Sequence, residues 1–345
     1  MKFKKLAAAV SAASVSALLL SGCAPAEAPF ACAVSDEASW DDKSFNEAVY
    51  NGLEQARDEL SIGIADAESS SAEDFAPNLQ AMIDRECGVI FAVGFNLVES
   101  VNAAAAANPE VNFVTVDGYL TGETTNLKPV VYKMQESSYL AGYLAAAYST
   151  TKVLGTYGGL NIPTVTDFMS GFYYGAKKYE ADTGTAVTVV GWDPAVPDGG
   201  DFIGGFGPNT PESKAIAANQ IQQGADVIFP VGGDQFGAVS EAIAEAGING
   251  VMIGVDKDIA LTSPEYAPLV LTSAEKRMTA ATYDIIAALK GGEAFSADAY
   301  VGTLLNNGTG LSPFYEFDSK IPQEIKDRLA ELEQGIKDGT VDPLA

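Results

Sequence analysis

Residues 35–49, SDEASWDDKSFNEAV, place an aromatic ring among acids at the predicted start of a helix. Ser44 and Glu47 have the S-x-x-E spacing of a capping box, which predicts that the helix begins near Phe45. Asp36 ends the apolar run before it, so the Phe45 ring lies beside a strand end, where it either faces a cleft or packs beneath the loop. A carboxylate accepts hydrogen bonds only, so Asp36 suits a ligand that carries N–H donors.

The composition excludes several kinds of chemistry. The chain contains no histidine, which excludes imidazole catalysis and His-based metal sites. Its formal net charge of −26 argues against nucleic-acid binding, which needs a basic surface, and disfavours phosphorylated ligands. Asp193, Asp198 and Asp201 lie in a long acidic loop but lack the spacing of a calcium-binding loop. We therefore predict a solvated loop, no metal ion and no cofactor.

Short apolar runs rich in β-branched residues alternate with longer helical patterns along the chain. Near-continuous apolar strands between helices are typical of parallel sheets that are covered on both faces. The fold class predicted is α/β, with doubly wound parallel sheets flanked by helices. The predicted strands are residues 31–36, 61–66, 87–94, 111–117, 130–134, 152–159, 186–192, 226–233, 251–256 and 269–274.

An internal repeat predicts two similar lobes. ECGVIFAVGF at 86–95 resembles GADVIFPVGG at 224–233, and each copy leads to a strand that ends in Val-Asp. The offset is 138 residues between Phe91 and Phe229 and 139 residues between Asp117 and Asp256. Ligands of open α/β sheets bind beyond the carboxyl ends of the strands. Two lobes with facing strand ends therefore make a cleft, with Asp117 and Asp256 at its walls.

The N-terminus has the pattern of an export signal. Lys2, Lys4 and Lys5 precede an apolar run that is too short for the ~20 residues of a spanning helix. LSGC at 20–23 resembles the lipobox of bacterial lipoproteins, in which the chain is cut before the Cys and the thiol is lipidated. We predict a signal peptide at 1–22, a lipid on Cys23 and a tether at 23–30; loss of the three lysines brings the net charge to −29. The alternative is an ordinary secretory signal.

Two further cysteines, Cys32 and Cys87, lie at the beginnings of predicted neighbouring strands. Outside the reducing cytosol such a pair tends to oxidise. A disulfide between them would close a loop of about 55 residues, worth roughly 4 kcal/mol in the chain-entropy model. We favour this disulfide over two buried thiols.

The segment SDEASWDDKSFNEAVYNGL resembles the signature of the basic membrane protein family of ABC-transporter substrate-binding lipoproteins, which includes purine nucleoside receptors. The likeness continues through IFAVGF, FVTVDG, SSYLAGYLAA, GADVIFPVGG, GVDKD and TSAEKR, over most of residues 31–290. It implies the two-lobed type I periplasmic binding protein fold. Trp40 departs from the family pattern, and either extends the stacking surface or shields the loop.

The resemblance also implies a set of ligand-binding residues. In the nucleoside receptors two phenylalanines from opposite lobes sandwich the purine; Phe45 matches the first, and Phe206, with Phe202 as the rival, matches the second. Carboxylates and a lysine hold the base edge and the ribose, and Asn126 is a further match where loop lengths differ. The predicted ligand-binding residues are Asp36, Phe45, Asn46, Asp117, Phe206, Gly233, Asp256 and Lys276.

These observations lead to one expected function and two alternatives. We expect a monomeric protein, lipid-anchored on the extracytoplasmic side of the cell membrane, that binds guanosine, inosine or adenosine and delivers it to an ABC permease. One alternative is a binding protein of the same fold for a sugar or another small metabolite. The other is an enzyme such as a nucleoside hydrolase, but the sequence offers no nucleophile elbow and no metal-ligand cluster. We predict that the protein is not an enzyme.

The lobes exchange chain at three predicted crossovers, near residues 149–151, 257–268 and 291–299. Lobe I is then expected at 31–150 with 269–292, and lobe II at 151–268 with 293–345. The amphipathic pattern of Ile325, Leu329, Leu332 and Ile336 predicts a C-terminal helix that closes the second lobe.

Overall fold

The computed structural model describes residues 30–345, so Cys23, the predicted signal peptide and most of the predicted tether lie outside the described residues. The strands are β1 (Ala31–Val34), β2 (Ile64–Ala67), β3 (Val89–Val93), β4 (Asn112–Val116), β5 (Leu127–Tyr132), β6 (Val153–Gly158), β7 (Thr188–Val190), β8 (Val227–Val231), β9 (Val251–Asp256), β10 (Val270–Lys276), β11 (Tyr300–Gly302) and β12 (Thr309–Leu311). The helices are α1 (Phe45–Leu60), α2 (Phe75–Asp84), α3 (Val98–Ala107), α4 (Met134–Tyr148), α5 (Pro163–Thr183), α6 (Pro211–Gln222), α7 (Phe236–Ala246), α8 (Ile259–Thr262), α9 (Met278–Lys290) and α10 (Gln323–Lys337).

The strands form two six-stranded sheets, one per lobe. Their orders are β11-β5-β4-β3-β1-β2 and β12-β10-β9-β8-β6-β7. Every pairing is parallel except that of β10 with β12. The α/β fold class and the ten predicted strands are confirmed. Sequence reasoning missed β11 and β12, which are three residues long. Each is an edge strand, β11 beside β5 and β12 beside β10.

Helices cover both faces of each sheet, and the second lobe contains an unusually close helix pair. In the first lobe α1 packs against α9, and α2 packs against α3; in the second α4 packs against α5, and α6 against α7. A Cβ at Gly142 of α4 would lie 2.0 Å from the carbonyl oxygen of Phe172, and one at Gly175 of α5 would lie 1.9 Å from that of Tyr139. These helices therefore touch backbone to backbone, which only glycine permits.

The chain crosses between the lobes at places that differ from the expected boundaries. The first crossing is at Lys133, because α4 packs against α5, α10 and β10 of the second lobe. The second is at Arg277, because β10 pairs with β9 whereas α9 packs against α1. The third lies between β11 and β12, at residues 303–308. The expected crossovers at 149–151, 257–268 and 291–299 thus differ from the structure. The apolar sequence of a buried helix or strand does not show which of the two sheets it packs against or joins.

The internal repeat is present in the structure and extends to the crossovers. β3 and β8 are equivalent central strands, and β4 and β9 lead to Asp117 and Asp256, which have φ values of 57° and 65°. This left-handed conformation is uncommon for residues other than Gly, Asn and Asp. The next strands end at Tyr132 and Lys276, and each is followed by one residue and then a helix that begins at a Met on the opposite lobe. The two halves therefore present equivalent strand ends to each other.

Two other predicted features are present. Cys32 and Cys87 are joined by a disulfide whose Cα atoms are 6.0 Å apart, and it links β1 to the residues before β3 within the first lobe. The C-terminal helix α10 packs against α4 and buries Leu329, Leu332 and Ile336, which confirms that it closes the second lobe.

Candidate functional site

A cavity lies between the facing strand ends of the two lobes. Its walls come from the ends of β3, β8 and β9 and from the starts of α1 and α5. The eight residues predicted to bind ligand all line it: Asp36, Phe45, Asn46, Asp117, Phe206, Gly233, Asp256 and Lys276.

The start of α1 is fixed by Asp42, which corrects the predicted capping box. The two Asp42 carboxylate oxygens accept hydrogen bonds from the backbone N–H groups of Ser44, Asn46 and Glu47, at 2.9, 2.8 and 3.0 Å. The Ser44 and Glu47 side chains make no cap hydrogen bond. A carboxylate at a helix N-terminus also interacts favourably with the helix dipole, so Asp42 is the stronger cap.

The two residues freed from capping reach the opposite lobe instead. The Ser44 hydroxyl donates to Asp256 Oδ2 at 2.9 Å, and Glu47 forms an ion pair with Lys257. Both contacts join the start of α1 in the first lobe to the end of β9 in the second. The structure therefore represents lobes that have closed on each other.

Aromatic rings line the cavity from both lobes. Phe45 belongs to the first lobe and Phe206 to the second. The Phe206 ring is accommodated by Gly159, where a Cβ would lie 2.4 Å from ring atom Cε1. Phe202 does not line the cavity and packs edge-on against Trp192, with ring centroids 6.0 Å apart. Of the two candidates considered from the sequence, Phe206 lines the cavity and Phe202 does not.

Sequence reasoning missed two further phenylalanines in the cavity wall, Phe95 and Phe168. Phe95 lies two residues after the end of β3 and packs against Tyr119, with ring centroids 5.9 Å apart. Its position directly after the predicted strand 87–94 was a usable signal, since ligands of open α/β sheets bind beyond the strand ends. Phe168 lies in the second turn of α5, where no pattern separates a cavity residue from a core residue.

One end of the cavity is formed by Asp36 and Asn46. Asp36 Oδ1 accepts from the Ala38 N–H at 3.0 Å and from Asn46 Nδ2 at 2.8 Å. Asn46 Nδ2 also donates to Asp42 Oδ2 at 3.1 Å. Gly94 lies against the other Asp36 oxygen, and a Cβ there would be 2.5 Å from Oδ2. This end of the cavity thus presents acceptors.

The other end centres on Lys276, which is only 3% exposed. Its Nζ forms an ion pair with Asp117 and lies 5.1 Å from the ring centroids of both Phe45 and Phe168. Asp256 lies beside this pair and also accepts from the Ser44 hydroxyl. Two acids and one cation therefore meet at this end of the cavity.

Burial raises the pKa values of the acids in the site. Burial raises the pKa of Asp36 to about 7, although the hydrogen bonds from the Ala38 N–H and from Asn46 lower it. Burial also raises the pKa of Asp256 to about 6, although the positive charge of Lys276 lowers it. The pKa of Asp117 is also raised by burial, although the Lys276 ammonium acts in the opposite direction. Burial therefore shifts the pKa values of Asp36 and Asp256 toward neutral pH.

The sequence matches a known family. The family described as ABC transporter substrate-binding protein PnrA-like, abbreviated Bmp, matches residues 31–196 and 202–326. The chain belongs to the Bmp family. The predicted resemblance to basic membrane proteins is confirmed, and the chain is thereby a member of a family of ABC-transporter substrate-binding proteins.

Three relatives and one solved structure are similar to this chain. The ABC transporter nucleoside-binding protein BmpA of Lactococcus lactis is 29% identical over 370 residues and covers 98% of both chains. Basic membrane protein A of Borreliella burgdorferi is 28% identical, over 70% of this chain and 66% of that protein. An uncharacterized lipoprotein of Pyrococcus abyssi is 29% identical, over 71% of this chain and 59% of that protein. An ABC solute-binding protein from Aeropyrum pernix K1 has the same fold, with a TM-score of 0.80 at 23% identity over 91% of this chain and 93% of that one.

Several residues considered from the sequence lie outside the cavity of this Bmp-family chain. Asn126 donates through Nδ2 to three backbone carbonyls around the α3–β4 turn, at 2.9–3.0 Å, so its role is structural. Trp40 is 8% exposed, donates to Asp66 and stacks on Tyr50, which shields the loop. Asp201 accepts from Gln220, and residues 30–345 contain no cluster of three metal-ligating side chains.

Within the same residues, none of the helices combines the length and the hydrophobicity that crossing a bilayer demands.

Proposed function

We propose that the protein binds a purine nucleoside between its lobes. The observation that carries this proposal is the position of Phe45 and Phe206, which line one cavity from opposite lobes, with the Asp36 carboxylate at one end of it. A base that stacks on an aromatic side chain gains ~1–3 kcal/mol, largely independent of which base it is. The name of the Lactococcus relative, a nucleoside-binding protein, supports the same ligand class.

The Lys276 end of the cavity suits a ribose. Carboxylates accept hydrogen bonds from hydroxyl groups, and an ammonium donates to sugar oxygens. Asp117, Asp256 and Lys276 supply both kinds of partner within a buried space. A phosphate would add negative charge to a cavity whose acids outnumber its single lysine. We therefore expect a nucleoside to bind and a nucleotide to be rejected.

The family and the sequence of the N-terminal segment support a transport role. In this proposal the cut chain is anchored by a lipid on Cys23, at the extracytoplasmic face of the cell membrane, and acts as a monomer that delivers its ligand to an ABC permease. The lipoprotein description of the Pyrococcus relative supports the anchor. Because ligand contacts come from both lobes, binding shifts the population toward the closed state.

Calorimetric titration with inosine, guanosine, adenosine, ribose and glucose tests the ligand class. We expect the nucleosides to bind, Phe45→Ala and Phe206→Ala to weaken binding by roughly 5- to 150-fold per ring, and Phe202→Ala to leave the Kd unchanged. Binding of a sugar without any nucleoside would overturn the proposal in favour of the sugar-binding alternative. Mass spectrometry of inosine after long incubation should recover it intact, and its hydrolysis would instead identify an enzyme.

A further inference from the structure

The Glu47–Lys257 ion pair joins the two lobes outside the ligand cavity. Glu47 lies in the first turn of α1 in the first lobe, and Lys257 directly follows β9 in the second. Two further inter-lobe contacts, made by Ser44 and Lys276, each end on an aspartate that lines the cavity. Neither Glu47 nor Lys257 lines it. The lobes are therefore also connected by a pair of charges that a ligand in the cavity does not touch.

Local structure directs both side chains to this contact. The Asp42 carboxylate accepts the Glu47 N–H at 3.0 Å, so α1 is capped without the Glu47 side chain. At the end of β9, Asp256 has a left-handed conformation with a φ of 65°, and the Lys257 N–H donates to the Val255 carbonyl oxygen at 2.7 Å. This tight turn separates two consecutive side chains, so that Asp256 lines the cavity while Lys257 reaches α1.

The attraction within this pair depends on closure of the lobes. The side chains of Lys257 and Glu47 are 11% and 24% exposed, so both charges are largely withdrawn from water. Water and salt screen such charges less than fully exposed ones, which strengthens their attraction. Opening would remove the attraction, because the two residues belong to opposite lobes. Lys43 also acts on Glu47, but it belongs to the same lobe, so its effect does not require closure.

We propose that Glu47 and Lys257, here called the inter-lobe latch, hold the closed state and set the rate at which any ligand leaves the cavity. They are positioning residues, because they act on the equilibrium between open and closed lobes and do not contact the ligand. Apparent affinity scales with the population of the binding-competent state, so the latch changes the affinities of all ligands by the same factor. Residues of the cavity wall would instead change the affinity of each ligand by a different factor.

Loss of the latch should weaken binding uniformly. Lys257→Met should raise the Kd roughly two- to tenfold, as expected for one partly exposed ion pair. Most of this change should appear as faster dissociation. The factor should be the same for guanosine, inosine and adenosine, which serve as probes under the proposed function. High salt should speed release from the unaltered protein more than from Lys257→Met, because salt screens the pair.

Calorimetry measures the Kd, and stopped-flow displacement of a fluorescent nucleoside analogue measures the dissociation rate. Glu47→Gln combined with Lys257→Met should release ligand no faster than Lys257→Met alone, because either change by itself removes the latch. Lys214→Met is the matched control and should leave both constants unchanged, since Lys214 pairs with Glu241 and Glu245 within the second lobe.

Carbodiimide coupling tests the latch in the unaltered protein. The reagent joins a carboxylate to an amine that contacts it, and mass spectrometry of the cross-linked peptides then identifies the pairs that form. Saturating inosine should increase the yield of the Glu47–Lys257 cross-link. It should leave the yield of the Lys214–Glu241 cross-link unchanged, which supplies a control within the same sample.

An effect of Lys257→Met on one nucleoside alone would assign Lys257 to ligand recognition and overturn the latch. Unchanged dissociation, or a Glu47–Lys257 cross-link whose yield does not respond to bound inosine, would overturn it as well. If no nucleoside binds in calorimetry, the proposed function fails and the latch is judged on the ligand-free protein. A Glu47–Lys257 cross-link there supports the latch, and its absence overturns it.

Discussion

Removing the positive charge of Lys276 should destabilise the protein in a pH-dependent manner. Lys276 and Asp117 have side-chain exposures of 3% and 8%, so Lys276→Met leaves a carboxylate buried without its counter-ion. Breaking a buried ion pair by removing one partner costs about 3–5 kcal/mol. We expect a loss of that size in the free energy of unfolding at pH 8. The loss should shrink toward pH 5, because Asp117, whose pKa burial already raises, then takes up a proton.

Urea unfolding followed by circular dichroism at pH 8 and pH 5 measures this effect. The double variant Asp117→Asn with Lys276→Met removes both charges and should recover most of the lost stability. Lys43→Met is the control, because Lys43 and Asp41 form an exposed pair at 44% and 81%, and such pairs contribute about 0–1 kcal/mol.

The reasoning fails if Lys276→Met is as stable as the unaltered protein at pH 8. It also fails if the double variant is no more stable than Lys276→Met alone, because the cost would then come from lost packing against the rings and not from an unpaired charge.

Three other predictions concern the stability of the ligand-free protein. Because burial raises the pKa of Asp36 to about 7, the folded state binds the Asp36 proton more tightly than the unfolded state does. Asp36 alone should therefore make the free energy of unfolding about 2 kcal/mol larger at pH 5.5 than at pH 7.5. Thermal melts of Asp36→Asn should lack this increase at low pH. Replacing Cys32 and Cys87 by Ala should cost about 4 kcal/mol in urea unfolding, and an unchanged midpoint would contradict the chain-entropy argument. Asp42→Ala should lower the Tm more than Ser44→Ala, because Asp42 caps α1; the reverse order would restore the predicted capping box.

The carboxyl ends of the strands made much of the site predictable from the sequence. In a parallel sheet the carboxyl ends of the strands lie at one edge. A residue that directly follows an apolar strand must therefore lie at that edge, where ligands bind. Asp36, Asp117 and Asp256 follow that rule, and all line the cavity. The internal repeat added the second wall, because two copies of one strand–helix unit imply two facing edges.

Other features could not be read from the sequence, for definable physical reasons. Asp42, Ser44 and Glu47 lie within six residues of one another, and all are chemically able to cap α1; only the backbone path decides among them. Helix α4 is buried on nearly all sides, so its composition does not reveal which sheet it covers. Phe168 belongs to a helix whose apolar face meets both the core and the cavity, and its spacing is the same in either case.

The repeated fold has a consequence for how a ligand must lie. Two equivalent halves would by themselves build a pocket that is the same when viewed from either wall, and the matched Asp117 and Asp256 preserve that likeness. Tyr132 and Lys276 occupy equivalent strand ends but differ, one a neutral phenol and the other an ammonium. The unmatched ammonium therefore makes the two ends of the pocket different, so that a ligand with one flat apolar end and one hydroxylated end has a single favourable orientation.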